Sequence, residues 1–262
     1  MTTLENATAV LKLFHQHGMV QGQQGLSFSD VVTTLKLPKS TVSRLLAAME
    51  TQGLLERNPD TRCFHLGQML LSLASHYLST PLVDGASAMM AKLAAESSYT
   101  GYISVLEGRE VMVMRMFQGR MFVQAVTPPG SRFPAVETSV GRAILSRYSD
   151  DDVRKLYAGA WRVRSANSPQ TLEQLLAELG RIRERGWAMA CSEALPGIGA
   201  ISTTLSNKHR GEIVALSLSF PTQSQDQLFI PTALDALQMV TRQLAAQYGD
   251  SAISHHGAVN YE

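Results

Sequence analysis

The chain lacks most of the features that mark whole classes of protein. Only two cysteines occur among its 262 residues, Cys63 and Cys191, far apart and with no His or Cys at ligand spacing. That argues against a disulfide framework or a metal site, and a reducing, cytoplasmic setting is expected. No apolar run approaches the roughly 20 residues needed to span a bilayer, so no membrane partner is expected. The opening stretch MTTLENATAVLKLF carries an early acid and no small-residue cleavage site, and does not read as a signal peptide. An excess of charge is missing too: 23 Lys and Arg face 22 Asp and Glu, a formal net charge of +1. Residues 1–67 hold six basic and five acidic side chains, and the remainder holds 17 of each. Generic polyanion binding is thereby excluded. Any nucleic-acid contact has to come from local placement of charge and from dimerisation.

What is present is an ordinary core-forming mixture, 45% hydrophobic and 17% charged, long enough for one large domain or two of common size. Leu4, Ala7, Val10, Leu11 and Phe14 recur at helical spacing, and HQHGMVQGQQG then breaks the pattern. In LSFSDVVTTL, Ser27 or Ser29 can cap a second helix whose buried edge is Val31, Val32 and Leu35. Pro38 suits the first turn of a third helix, with Val42, Leu45, Leu46 and Met49 as its apolar stripe and Gly53 as its end. LLERNPDTRCFHL reads as two short strands around Asn58, Pro59 and Asp60. Three helices followed by such a hairpin make a winged helix-turn-helix, in which the third helix enters a major groove and the hairpin reaches adjacent backbone. Lys39, Ser40, Thr41, Ser43 and Arg44 then point outward. Small hydroxyls and cations at a helix start suit phosphates and base edges; they suit water equally, and the order of elements decides for double-stranded DNA. Ser27, Arg57 and Arg62 are further candidates for contact with the backbone.

Leu66, Met69, Leu70, Leu73, Tyr77 and Leu78 follow helical spacing up to Pro81, as in a linker helix that packs on something. LVDGASAMMAKLAAESS opens a second domain, with Met89 and Met90 read as core fillers. Strands are expected in TGYISVLEG, EVMVMRMF, RMFVQAV, WAMACSE, AISTTLS and GEIVALSLSF. Helices are expected in VGRAILSRY, DDDVRKLYAG, PQTLEQLLAELGRIRERG and PTALDALQMVTRQLAAQY. The fold class is therefore α+β. In IVALSLSF, Ser217 and Ser219 share one strand face with Ala215, and Leu216, Leu218 and Phe220 take the other, so a hydroxylated face is left to line a cavity. TSVGRA starts a helix whose N–H groups from Ser139 to Gly141 can hold a carboxylate; capping by Thr138 or Ser139 explains the same residues.

An enzyme would have to use Cys191, with Ser192 or Glu193 beside it. No positioned histidine supports that: His209 sits in a turn-like stretch, and His255 and His256 lie in a tail without periodicity. PGIGAIS and GMVQGQQG lack the context of a dinucleotide or phosphate loop. No enzyme activity, cofactor or metal is expected. A second domain that only oligomerises remains an alternative.

LSFSDVVTTLKLPKSTVSRLLAAMETQGLLER…FHLG resembles the DNA-binding half of IclR-type (isocitrate lyase regulator family) transcription factors. FPAVETSVGRAILS, RERGWAMACSEALPGIGAIST and IVALSLSFP resemble their second half, and the likeness runs from about residue 4 to 248. It implies a winged helix-turn-helix (1–66), a linker helix that contributes to dimerisation (67–80) and a GAF-like effector-binding domain (81–249); the last thirteen residues lack apolar periodicity and are expected to be a flexible tail (250–262). It also implies a repressor that is a homodimer or homotetramer on palindromic promoters, with a small anionic metabolite as effector. By the same resemblance the effector pocket takes in Ser139, Val140, Gly141, Ala190, Cys191, Ala200, Ser217 and Ser219. Many members carry an acid near Ala190 and a larger or polar residue at Ala200. The small residues here therefore imply an acid larger or more apolar than glyoxylate or pyruvate.

Overall fold

The computed structural model describes residues 2–20, 25–97, 99–120, 127–159, 161–222 and 229–251. They form two compact units, Met1–Leu78 and Ser79–Glu262.

The first unit contains α1 (Thr3–Val20), α2 (Phe28–Leu35), α3 (Lys39–Thr51), β1 (Leu55–Arg57), β2 (Phe64–Leu66) and α4 (Gln68–Leu78). Helix α1 runs on through Gly18, where the sequence pattern breaks; one glycine costs a helix only about 1 kcal/mol. Its buried face is Asn6, Val10 and Leu13. Leu4, expected in the core, is 76% exposed because it lies about a third of a turn away from that face. Helix α2 starts on a reciprocal cap: the Ser27 hydroxyl accepts the Asp30 N–H, and the Asp30 carboxylate accepts the Ser27 N–H. Helix α3 buries Val42, Leu45, Leu46 and Met49 against Val10, Leu26, Val31 and Leu55. It ends in a Schellman turn, with Leu54 N–H donating to Met49 O and Gly53 N–H to Glu50 O. That turn requires Gly53 at φ +71°, which favours glycine. Strands β1 and β2 pair antiparallel with Leu55 opposite Leu66, and Leu26 adds a bridge to Phe64. The expected stripe is only partly covered within the unit: Leu66 at the end of β2 and Met69 and Leu73 on α4 are about half exposed, Leu70 is half-buried, and Leu71, off the stripe, is exposed. The side chains of Tyr77 and Leu78 lie outside the description.

The second unit begins with α5 (Pro81–Ser97), so Pro81 opens a helix as well as closing the preceding one. Strands β3 (Thr100–Glu107), β4 (Glu110–Phe117), β5 (Arg132–Pro134), β6 (Ala188–Cys191), β7 (Ile198–Asn207) and β8 (Glu212–Pro221) form an antiparallel sheet. Its order among the described residues is β5-β4-β3-β8-β7-β6. Strand β5 and the 3-10 turn Ala135–Glu137 are too short to leave a pattern in sequence. The strand expected in RMFVQAV falls at 121–126, outside the described residues. Helices α6 (Ser139–Leu145), α7 (Asp150–Tyr157), α8 (Leu172–Arg185) and α9 (Phe229–Tyr248) complete the unit.

Register explains which helices cover which face. Gly101 packs on Met90 and Ala94 of α5 and stands opposite Leu218. The Thr203 hydroxyl meets that of Thr241 on α9 and stands opposite Leu216. Leu216 and Leu218 therefore belong to the face under α5 and α9. The other face carries Ser202, whose hydroxyl lies 2.7 Å from that of Ser139 on α6, and Ser217 opposite it. Asp250, in the stretch expected to be a flexible tail, is anchored instead. It is buried, pairs with Arg147 at 2.7 Å and accepts the Ser206 N–H. Burial alone would raise its carboxyl, but Arg147 and the Ser206 N–H hold it below the usual carboxylate range. Residues 252–262 lie outside the description. Among the described residues no helix is long and apolar enough to cross a membrane.

Candidate functional site

Two sites emerge, one in each unit. On α3 the buried set at i, i+3, i+4 and i+7 turns Lys39, Ser40, Ser43 and Arg44 to solvent, with Thr41 half-buried. Pro38 precedes the helix without a side-chain cap, so the first-turn hydroxyls are not consumed in capping. Among the described residues neither Lys39 nor Arg44 has an ion-pair partner. In the wing, the Asn58 side chain accepts the N–H groups of Asp60 and Thr61, and Arg62 sits at φ +60°. Arg57 is exposed but engaged: its Nε donates to Arg62 O at 3.3 Å and its guanidinium stacks over Phe64. Ser27 is the least available of the expected contacts. Its hydroxyl accepts the Asp30 N–H and donates to the Asp30 carboxylate.

The second site is a cleft on the α6 side of the sheet, enclosing about 600 Å³ with its open mouth. Its apolar walls include Val111, Val113, Phe133, Val140, Leu195 and Ile198. Ser139, Val140, Ala190, Ala200, Ser217 and Ser219, all expected from sequence, line it together. Cross-strand register brings them there: Ala190 stands opposite Ala200, Ala200 opposite Ser219, and Ser202 opposite Ser217. Gly141 and Cys191 are not among the lining residues. The Gly141 N–H is taken by the Thr138 hydroxyl at 3.0 Å, which removes it from the expected carboxylate cradle. Gly141 serves packing instead, since a Cβ there would lie 2.1 Å from Ala135 O. Cys191 is half-buried, and burial and the neighbouring Glu193 push its thiol up, opposite to what a nucleophile needs.

Residues that sequence reasoning missed shape the same cleft. Tyr102 and Ser104 reach it from β3, and Glu137 from the 3-10 turn. Burial raises the Tyr102 hydroxyl, against hydrogen bonding to Thr127. Among the described residues, the hydroxyls of Ser104, Ser217 and Ser219 have no hydrogen-bond partner. Arg142 and Glu193 are the larger omission. The guanidinium meets Glu193 at 2.6 and 2.8 Å and also donates to the carbonyls of Val136 and Met189. Glu193 further accepts the Ser168 hydroxyl at 2.6 Å. Both side chains are almost fully buried, at 4% and 7% exposed. Fifty-one residues separate them, too far for any spacing rule to find the pair.

Residues 3–59 match the family model of the IclR helix-turn-helix domain, and residues 75–246 that of the bacterial transcriptional regulator IclR C-terminal domain. The transcriptional regulator XynR of Escherichia coli is 25% identical over 252 residues, covering 94% of this chain and 97% of XynR. The transcriptional repressor AllR of Salmonella typhi is 25% identical over 244 residues, covering 88% and 87%. The fold is shared with the IclR of Thermotoga maritima at a TM-score of 0.78, 19% identity and coverage of 94% and 98%. It is shared also with an IclR homologue of Microbacterium hydrocarbonoxydans complexed with 4-hydroxybenzoate, at a TM-score of 0.73, 20% identity and coverage of 94% and 100%.

Breaking the buried pair leaves an uncompensated charge, whereas replacing both partners by apolar side chains does not. Glu193→Ala is therefore expected to lower unfolding free energy by roughly 3 kcal/mol, and the pair Arg142→Met, Glu193→Leu to recover most of that loss. Urea denaturation of the variants checks this; a single-variant loss under about 0.5 kcal/mol, typical of a surface position, contradicts it.

Proposed function

The chain belongs to the IclR family of bacterial transcriptional regulators, and from that premise we propose a repressor that binds promoter DNA as a homodimer or homotetramer and is switched by a small organic or sugar acid in the cleft. The carrying observation is the trio of unpartnered hydroxyls, Ser104, Ser217 and Ser219, set in apolar walls. These hydroxyls open on the cleft, so a ligand can take up the hydrogen bonds that water would otherwise make with them. The Microbacterium homologue is complexed with 4-hydroxybenzoate, an aromatic acid, which supports the reading. With the Gly141 N–H occupied, the acid group of the effector lies against Ser217 and Ser219 and its body against Val111, Val113, Phe133 and Val140. Ala190 and Ala200 leave room for an acid larger than pyruvate. The effector acts by favouring one of two placements of the DNA-binding units.

On DNA, Arg44 with Ser40, Thr41 and Ser43 reads base edges, while Lys39, Arg57, Arg62 and Ser27 meet phosphates. Dimerisation uses α4, whose exposed Met69, Leu71 and Leu73, with Leu66 just before it, find no cover within their own unit. Two half-sites then multiply the affinity of a module that has few contacts of its own.

Arg44→Ala should cost about 1–3 kcal/mol of specific affinity and relax the preferred sequence, as read by anisotropy and footprinting on the cognate promoter. Unchanged affinity with an unchanged footprint removes Arg44 from base reading. Light scattering at micromolar protein should return a dimer or tetramer; a strict monomer, with and without DNA, ends the α4 assignment. Ser217→Ala with Ser219→Ala should leave operator binding intact and abolish the effector response. Calorimetry that finds the effector bound as tightly by this double variant places the ligand elsewhere.

A further inference from the structure

We infer that Glu137 makes the cleft selective for an acid that carries a hydrogen-bond donor, a hydroxyl or an amine, on the end remote from its carboxylate. The inference rests on the reading of the cleft as the effector site and assigns the group that selects within it. Glu137 is 4% exposed and lines the cleft at the end of the 3-10 turn Ala135–Glu137. Among the described residues its only hydrogen-bond partner is the backbone N–H of Arg164, which meets Oε1 at 2.5 Å. A carboxylate offers about four acceptor positions, so after the Arg164 N–H is counted Glu137 keeps capacity for a donor from the ligand it lines.

Among the described residues no cation lines the cleft to balance it. Arg142 is committed to both oxygens of Glu193 and to two carbonyls, and the lining residues include no Lys, Arg or His. A ligand carboxylate set against Glu137 would bring two like groups together in partly desolvated space, which is strongly disfavoured. The cleft is thus polarised. The unpaired hydroxyls of Ser217 and Ser219 suit an acid group, the apolar walls suit a body, and Glu137 asks for a donor. A plain acid of the same shape leaves Glu137 buried and unsatisfied, the circumstance in which binding sites discriminate most sharply. The tether to Arg164 holds the carboxylate in place, so little ordering accompanies binding.

The test is calorimetry on the full chain with matched probes: benzoate, its hydroxy and amino derivatives at each ring position, and straight-chain acids with and without a terminal hydroxyl or amine. In the unaltered protein at least one donor-bearing acid should bind roughly 30-fold or more tightly than its parent. Glu137→Gln, which keeps shape and an acceptor for Arg164, should bring that ratio to within about 3-fold by removing the repulsion that excludes the parent. A preference for the amine over the hydroxyl identifies a cationic donor, and the reverse a neutral one; either supports the inference. Parent acids that bind the unaltered protein as well as their derivatives overturn it, and that measurement needs no folded variant. A ratio unchanged in Glu137→Gln overturns it too. Where the ratios fail but Ser217→Ala with Ser219→Ala still abolishes binding, the cleft reading stands and only the role of Glu137 falls. Binding indifferent to the serines, or no binding by any probe, removes both.

Discussion

One buried guanidinium organises the second unit. Arg142 leaves α6 and reaches the 3-10 turn through Val136 O, strand β6 through Met189 O and the β6–β7 loop through Glu193. Glu193 in turn fixes Ser168 in the segment before α8. The 3-10 turn, α6, β6 and the β6–β7 loop all supply residues that line the cleft. A well-packed apolar pair would hold them as firmly, so the gain over such a pair is small. What the ion pair adds is direction, since a forked donor meeting two carboxylate oxygens and two carbonyls permits only one arrangement of four segments. Nε is the one guanidinium nitrogen left without a partner.

The same commitment settles the electrostatics. With Arg142 and Glu193 paired, the polar groups left to meet a ligand among the described lining residues are Glu137 and the hydroxyls. A site with no free cation holds an anion only through neutral donors, so recognition depends on shape and on hydrogen bonds that water would otherwise make. The first unit is the reverse case, in which exposed Lys39 and Arg44 keep their charge available.

Local chemistry was legible in the sequence and distant pairing was not. The Ser27–Asp30 cap, the α3 stripe, Gly53 and the Asn58 turn depend on neighbours within a few residues, and each could be read directly. The period-two alternation of β8 gave Ser217 and Ser219 the same face, which the register bears out. Leu4 escaped because a face is fixed by what packs on it and not by spacing alone. Arg142–Glu193 and Arg147–Asp250 escaped because their partners lie 51 and 103 residues apart in the chain. Glu137 escaped for another reason: in sequence an acid before a helix start reads as a favourable charge near the positive end of a dipole. Only the tertiary structure turns it into the cleft.

Strand alternation separates two kinds of change. On β8, Leu216 and Leu218 belong to the face under α5 and α9, whereas Ser217 and Ser219 touch only the cleft side. The same holds on β7, where Ile201 and Ala200 divide between core and cleft. Substitutions at every second position can therefore drift toward a new small molecule while the intervening residues keep the unit folded. On the proposed reading of the cleft, a lineage can change the signal it answers to one side chain at a time, passing through intermediates that remain stable proteins.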